Sequence, residues 1–429
     1  MTAINEKVLN KDGCDVHLLH TKKFKTIHLS LKFATPLKRE DVTKRALLPY
    51  VLQQGTKQYP SALKLREKLD ELYGAVLSID SSKKGEQAVF TIRMELANEK
   101  YIQTDIALLD EAIQLLAEII YEPKLEQNGF DPKIVEREKV TLRNKMEALR
   151  EDKMSLANTR MIEEMCKDEP YGLRIHGYEE DLEKITPENL YTYYQTMLQD
   201  DHLNIFISGD IESLNIEEKI TSLWKHRKQQ STITKSTIES ISRPSSEVIE
   251  EDDISQAKLH FGYRTQITYD DPDYPALHVF NGIFGGFPSS KLFLNVREKH
   301  SLAYYAASRI ESHKGLMFVF SGIAPEQYEL AKKIIEQQME QMVNGEFTEE
   351  HLEETKIMTI NQLKETMDHP QGMIELSYQR VIAKSDLTPD RLIDQINKVT
   401  KEDVIAVAKK IKQEIVYLLT SKGDTERGN

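Results

Sequence analysis

The sequence predicts an α+β fold made of two similar halves, each a mainly antiparallel sheet packed with long helices. Three observations lead there. The stretch 229–246 (QQSTITKSTIESISRPSS) is rich in Ser and Thr, poor in large apolar residues and carries a Pro near its end, so it reads as a linker between 1–228 and 247–429. On either side of it the chain repeats itself. In each half the elements run as strand, helices, a strand pair, long helices, then helix and strand, an order that favours antiparallel pairing over a doubly wound parallel sheet.

In the first half, Arg66-Glu67-Lys68 and Tyr73 lie near the end of a helix that feeds a strand, Lys84-Gly85 marks a hairpin turn, and 87–96 (QAVFTIRMEL) is strand-like. A helix is expected over 101–120, where apolar residues recur at steps of three and four. Thr186 caps the next helix, with Asn189 at its third position, and 202–207 forms a strand before Gly209-Asp210. The second half follows the same order. Arg297-Glu298-Lys299 and Tyr304 precede the turn at Lys314-Gly315, the strand 316–323 (LMFVFSGI) and a helix over 326–343. Thr400, with Asp403 three residues on, caps a helix that leads to the strand 414–419 and to Gly423-Asp424.

The bulk numbers narrow the function. With 429 residues, 39% hydrophobic and 30% charged, the chain can bury sizeable cores. A formal charge of -13 argues against a phosphate-tracking surface, so nucleic acid is not an expected partner. No apolar run approaches a membrane span, and the first ten residues lack the apolar core of a secretory signal, which makes the cytoplasm the expected location. Cys14 and Cys166 are far apart and suggest neither a disulfide nor a thiolate metal site. His17 and His20 would fall on opposite faces of a strand, and His351 with Glu354 on a helix lacks a third partner nearby. There is no phosphate loop and no G-x-S-x-G elbow, so Ser289 and Ser290 read as turn or helix-entry residues rather than nucleophiles.

Several segments resemble the pitrilysin/insulinase superfamily of zinc metallopeptidases, in its processing-peptidase-like branch, over nearly the whole chain. Gln54-Gly55-Thr56 is similar to the end of the family's H-F-L-E-H-M-L-F-K-G-T block, and counting back places Ala46, Pro49 and Tyr50 on the His, Glu and His positions. Two imidazoles four residues apart share a helix face and can hold zinc, while the Glu activates the bound water; Ala, Pro and Tyr can do neither. The family's glutamate helix corresponds to 136–145, where Arg143, Asn144 and Lys145 stand near the expected third ligand. Glu169-Pro170-Tyr171-Gly172, Gly177, Ile185-Thr186 and Gly209-Asp210 resemble further landmarks. So do Gly282 to Gly286, Ser289-Ser290-Lys291-Leu292-Phe293, and 296–304, where family members read R-E-K-R-G-L-A-Y.

The resemblance implies a clam-like half-chamber. It also implies a chain with no metal or other cofactor of its own, which pairs as a dimer with a homologous, zinc-bearing subunit to act on peptides. Arg297 would grip the peptide and Tyr304 donate to the oxyanion, with Gly285, Gly286 and Ser289 on the substrate-binding side. The alternative is an independent peptide-binding or scaffold protein on a degenerate peptidase fold.

Overall fold

A computed structural model describes residues 5–11, 13–212, 214–224, 227, 232–233 and 245–422. Most of the expected linker, and the Gly423-Asp424 pair, lie outside the described residues. The chain divides into two compact units, the first taking 1–147, 173–234 and 366–378, the second 148–172, 235–365 and 379–429.

The first unit holds β1 (Asn5–Lys11), β2 (Cys14–His20), β3 (Thr26–Pro36), β4 (Val76–Lys84), β5 (Gln87–Ala97), a two-residue hairpin of β6 (Leu125–Glu126) and β7 (Gly129–Phe130), and β8 (His202–Gly209). Its six-stranded sheet has the order β1-β2-β8-β3-β5-β4, antiparallel throughout except for the parallel β2/β8 pair. The second unit holds β9 (Ser246–Asp252), β10 (Ala257–Arg264), β11 (Ala303–Glu311), β12 (Leu316–Ile323) and β13 (Lys412–Ser421), in the order β11-β12-β10-β13-β9. Here too a single pair, β13/β9, is parallel. Laid over one another, β4, β5, β3, β8 and β2 correspond to β11, β12, β10, β13 and β9, with the parallel pair in the same place. The repeat expected from the sequence is therefore a repeat of topology, with β1 added at one edge.

One face of each sheet carries the aliphatic core: Leu29, Leu31, Phe90, Ile92, Ile205 and Ile207 in the first unit, Leu259, Phe261, Met317, Val319, Val416 and Leu418 in the second. Alternation along each strand sends every second residue there. The two expected caps form complete capping boxes, Thr186 with Asn189 and Thr400 with Asp403. The helix expected over 101–120 begins only at Leu108. Thr104 accepts from the Ile106 amide, a local turn that competes with helix before the apolar run starts.

Two helices leave their own half. The helix Lys153–Met165 belongs to the second unit, where Ala157, Met161 and Met165 pack against Phe318, Ile415 and Leu419 on the other face of the sheet. A Cβ at Gly262 would stand 2.6 Å from the Met165 sulfur, so the strand is thinned where the helix lies. Conversely, the start of the helix Pro370–Ala383 belongs to the first unit, where it meets a polar face. Glu375 pairs with the buried Lys32 and, at 3.4 Å, with Lys84, while Tyr378 meets Phe206 edge-on. The packed units thus differ from the contiguous stretches 1–228 and 247–429 by these two exchanged segments.

Candidate functional site

The first unit contains the positions of the inverted zinc motif, on the helix Val42–Leu52. Ala46 and Pro49 are buried and Tyr50 is half-buried. Pro49 sits inside the helix and lacks the amide that would bond the carbonyl of Arg45; the Ser81 hydroxyl from β4 donates to that carbonyl instead, at 2.9 Å. Next to Ala46, the fully buried Arg45 pairs with Asp201 at 2.7 Å and donates to the Phe33 carbonyl and the Tyr193 hydroxyl. Around the motif positions the chain has built structural contacts rather than ligands.

The helix Pro132–Glu151 carries the expected third ligand region. Glu138 is buried and accepts from Arg137 at 2.7 Å, and its charge adds to burial in raising the Tyr50 phenol above its ordinary value. Arg143 donates to Glu183, and Asn144 and Lys145 are exposed. A phenol held neutral, an Ala, a Pro and two cations do not fit a divalent metal. Among the described residues no three His, Cys, Asp or Glu side chains group as a metal would need. His17 is instead stacked on Phe206 and bonded to Glu6 and Asn204. Both cysteines are buried, and burial pushes their thiols up to about 12.

The second unit contains Arg297 and Tyr304. Arg297 lies in the π-helical turn Phe293–Lys299, entered through Ser290, whose hydroxyl accepts from the Phe293 amide. Its guanidinium lies 4.6 Å from the centre of the Phe293 ring, and its Nε stands 3.7 Å from Glu298. The side chain is 44% exposed, leaving donors free for a ligand. Tyr304 follows on β11, where the register slips: Ala303 faces Ile323 and Tyr305 faces Gly322, so Tyr304 is the extra residue of a bulge. It is 76% exposed, whereas Tyr305 turns inward over Gly322, whose Cβ would meet its ring at 2.6 Å. Burial, followed by Asp152, pushes the Tyr305 phenol up to about 12. Of the pair, Tyr304 is exposed to solvent, whereas the Tyr305 hydroxyl is buried.

The Gly-rich turn divides. A Cβ at Gly285 would stand 2.5 Å from Ser308 Oγ, so this buried glycine is required by the close approach of β11. Gly286 is exposed, and Ser289 is half-buried with its hydroxyl 3.8 Å from the Met358 sulfur. Sequence reasoning missed three features here: the stacking of Phe293, the bulge, and Ser301, which adopts φ +51 just before the strand. A signal for the last was present, since Ser301 stands where the family's R-E-K-R-G-L-A-Y run has glycine.

A profile of the family described as Peptidase M16 inactive domain matches residues 184–358. The chain is 45% identical to a probable inactive metalloprotease of Bacillus subtilis, over 98% of each chain. It is 22% identical to the antilisterial bacteriocin subtilosin biosynthesis protein AlbE of Bacillus subtilis, over 91% of this chain and 95% of that one. A crystal structure of a conserved protein from Enterococcus faecalis V583 superposes with a TM-score of 0.91 at 34% identity, covering 97% of this chain and 99% of that chain.

Proposed function

The chain belongs to the M16 metallopeptidase family, the pitrilysin/insulinase superfamily, and we propose that within it the chain is the metal-less subunit of a two-chain peptidase. It joins a homologue that bears H-x-x-E-H, completes the peptide chamber, and works in the cytoplasm. The observation that supports this most is a contrast: Ala46, Pro49 and Tyr50 replace the metal-binding residues, while Arg297 and Tyr304 stay exposed. Loss of ligands alone fits any degenerate copy. An Arg stacked on Phe293 and a Tyr thrust out on a bulge fit a chain still used on peptides.

In this role Arg297 holds a peptide carbonyl or carboxylate, and the Tyr304 hydroxyl donates to the oxyanion that forms when the partner's metal-activated water attacks. The tagged chain, purified from its host, is expected to retain a zinc-bearing homologue in stoichiometric amount. In that pair Tyr304→Phe should lower turnover by ~10²–10³, the usual loss for one preorganised oxyanion donor. An unchanged rate removes the assigned role. A second reading, an independent peptide-binding protein, draws on the similarity to a bacteriocin biosynthesis protein. It predicts that the chain purifies alone and that Arg297→Ala weakens peptide binding with no effect on cleavage by any partner.

A further inference from the structure

The face of the second sheet turned away from its aliphatic core holds one residue that its surroundings do not explain. Along β10, Leu259 and Phe261 point into the core, while Lys258, His260 and Gly262 point to the face that the helix Lys153–Met165 covers. Around His260 that face is apolar. Phe320 stands opposite on β12 and meets the imidazole edge-on at 5.1 Å, and Tyr417 stands opposite on β13. Asp152 caps the helix close enough to Lys258 to act on its charge, and at the other end Met165 lies over Gly262. The imidazole between them lies under the middle of the helix.

His260 is fully buried, and neither of its ring nitrogens bonds any described residue. A neutral imidazole has one donor and one acceptor, and leaving both without partners in an apolar site carries a cost that leucine or phenylalanine would not. Burial, followed by the Lys258 ammonium, pushes the His260 pKa down to about 3. Among the described residues no carboxylate pairs with the ring to reverse this. On the helix, Arg160 binds Glu163 at 3.0 Å and also Glu250 of β9 at 2.6 Å, and Lys153 pairs with Asp252 at 2.8 Å. Asp152 accepts from the Met154 and Ser155 amides. On β11, Arg309 lies over the Phe320 ring, Glu311 accepts from the Tyr171 hydroxyl, and burial keeps the Tyr305 phenol neutral. Farther along β10, Arg264 pairs with Glu169 and Glu414.

We propose that His260 is an acid trigger: a proton on its imidazole releases the helix Lys153–Met165 from the second sheet. β10 is hydrogen-bonded on both sides, to β12 and β13, so water reaches the ring when the helix lifts, without breaking the ladder. Lifting bares Phe318, Phe320, Ile415 and Leu419. Tyr305 packs on the same cluster, so release also unseats the neighbour of Tyr304. The trigger itself does not depend on the peptide role proposed for that residue. The closed state favours the neutral ring, and the open state takes up the proton at the ordinary value of 6.5. Closure is therefore at full strength above 6.5 and weakens as pH falls below it. Down to about pH 5 ordinary carboxylates stay ionised, so the ion pairs of the helix hold constant over that interval.

The test is hydrogen–deuterium exchange of the intact chain at pH 6 and pH 5, corrected for intrinsic exchange and read by mass spectrometry. Opening of 153–165 should increase about eightfold between the two, as expected for a site that gains its proton on opening. The helix Tyr328–Val343 of the same unit contains no histidine and should not change. His260→Leu should make the opening of 153–165 independent of pH, and His260→Gln serves the same purpose should the leucine variant fail to fold. The comparison of the two helices in the parent chain needs no variant. Equal opening of 153–165 at both pH values overturns the proposal. So does a rise that both helices share, which would report general loosening through other buried groups such as His278. A rise that persists without His260 overturns it as well.

Discussion

Ser301 holds a left-handed backbone, φ +51, three residues before Tyr304, and no glycine relieves it. A non-glycine residue there costs roughly 1 kcal/mol, so Ser301→Gly should stabilise the chain by about that much, read as a higher denaturation midpoint. The second residue-scale case is Glu169, which stands where the family's H-P-Y landmark has histidine. Here the acid receives both Arg264 and, at 2.8 Å, Lys314, all three nearly buried, and Arg264 also pairs with Glu414. Burial alone would raise the Glu169 carboxyl; the hydrogen bonds and charges of Arg264 and Lys314 outweigh it and hold the pKa below its ordinary value of 4.5. A depressed folded pKa gives stability that is complete above the ordinary carboxylate range and is lost as pH falls through the folded value. Glu169→Gln removes the carboxylate that Arg264 and Lys314 share and should cost ~3–5 kcal/mol at neutral pH. It should also flatten the acid limb of a stability-versus-pH curve; an unchanged limb would show that other carboxylates govern it. The histidine-to-glutamate change was visible in the sequence. Its partners, from β10 and the turn before β12, were not, because no local spacing ties them to residue 169.

At the scale of elements, the exchanged helices differ in how much of their attachment is apolar. The helix Lys153–Met165 buries Ala157 and Met161 fully, and ion pairs of Arg160 with Glu250 and Lys153 with Asp252 tie it to β9 as well. Residues 366–378 are instead held on the first sheet by Lys32 and Lys84 to Glu375, by Ser377 to Glu6 and by Tyr378 against Phe206. Met161→Ala should therefore cost ~2–5 kcal/mol, the range for emptying a packed core site, measured by chemical denaturation. The fate of these helices was not legible in advance. Periodicity shows that a helix has a face to bury, but it does not say which sheet receives it, and both sheets carry strands of the same pattern. What was legible has a local cause: the Thr186 and Thr400 caps, the turns at Gly85 and Gly315 with φ +53 and +66, and the strands 87–97 and 316–323. The bulge at Tyr304 arises from pairing with β12 and left no mark of its own. The family frame selects Tyr304 from the Tyr304-Tyr305 pair, and it is the more exposed of the two, but the frame does not reveal the bulge that exposes it.

For the molecule as a whole, the exchange decides how far the repeat can be separated. Two duplicated units joined by a Ser/Thr-rich stretch invite the expectation that residues 1–228 and 247–429 fold alone. Their packing argues otherwise. A chain ending at 228 keeps the helix Lys153–Met165 but loses Phe318, Ile415 and Leu419, the surface that covers Met161 and Met165. It also strips Glu375 from Lys32, leaving a buried ammonium without its carboxylate. A chain starting at 247 loses Glu169, a carboxylate that pairs with both Lys314 and Arg264. Each half would expose an apolar face and lose a carboxylate that pairs with its buried cations, changes that single mutations of either kind already make expensive. Each half expressed alone is thus expected to be insoluble or to lack cooperative unfolding, while the intact chain unfolds in one transition. Co-expression of 1–228 with 247–429 should restore a folded complex, because the missing residues are then supplied in trans. Circular dichroism and calorimetry of the separate halves, the co-expressed pair and the intact chain distinguish the cases. Two independent cooperative transitions, each reproduced by one half in isolation, would mean that the exchanged segments contribute little and that the repeat is energetically as modular as its sequence suggests.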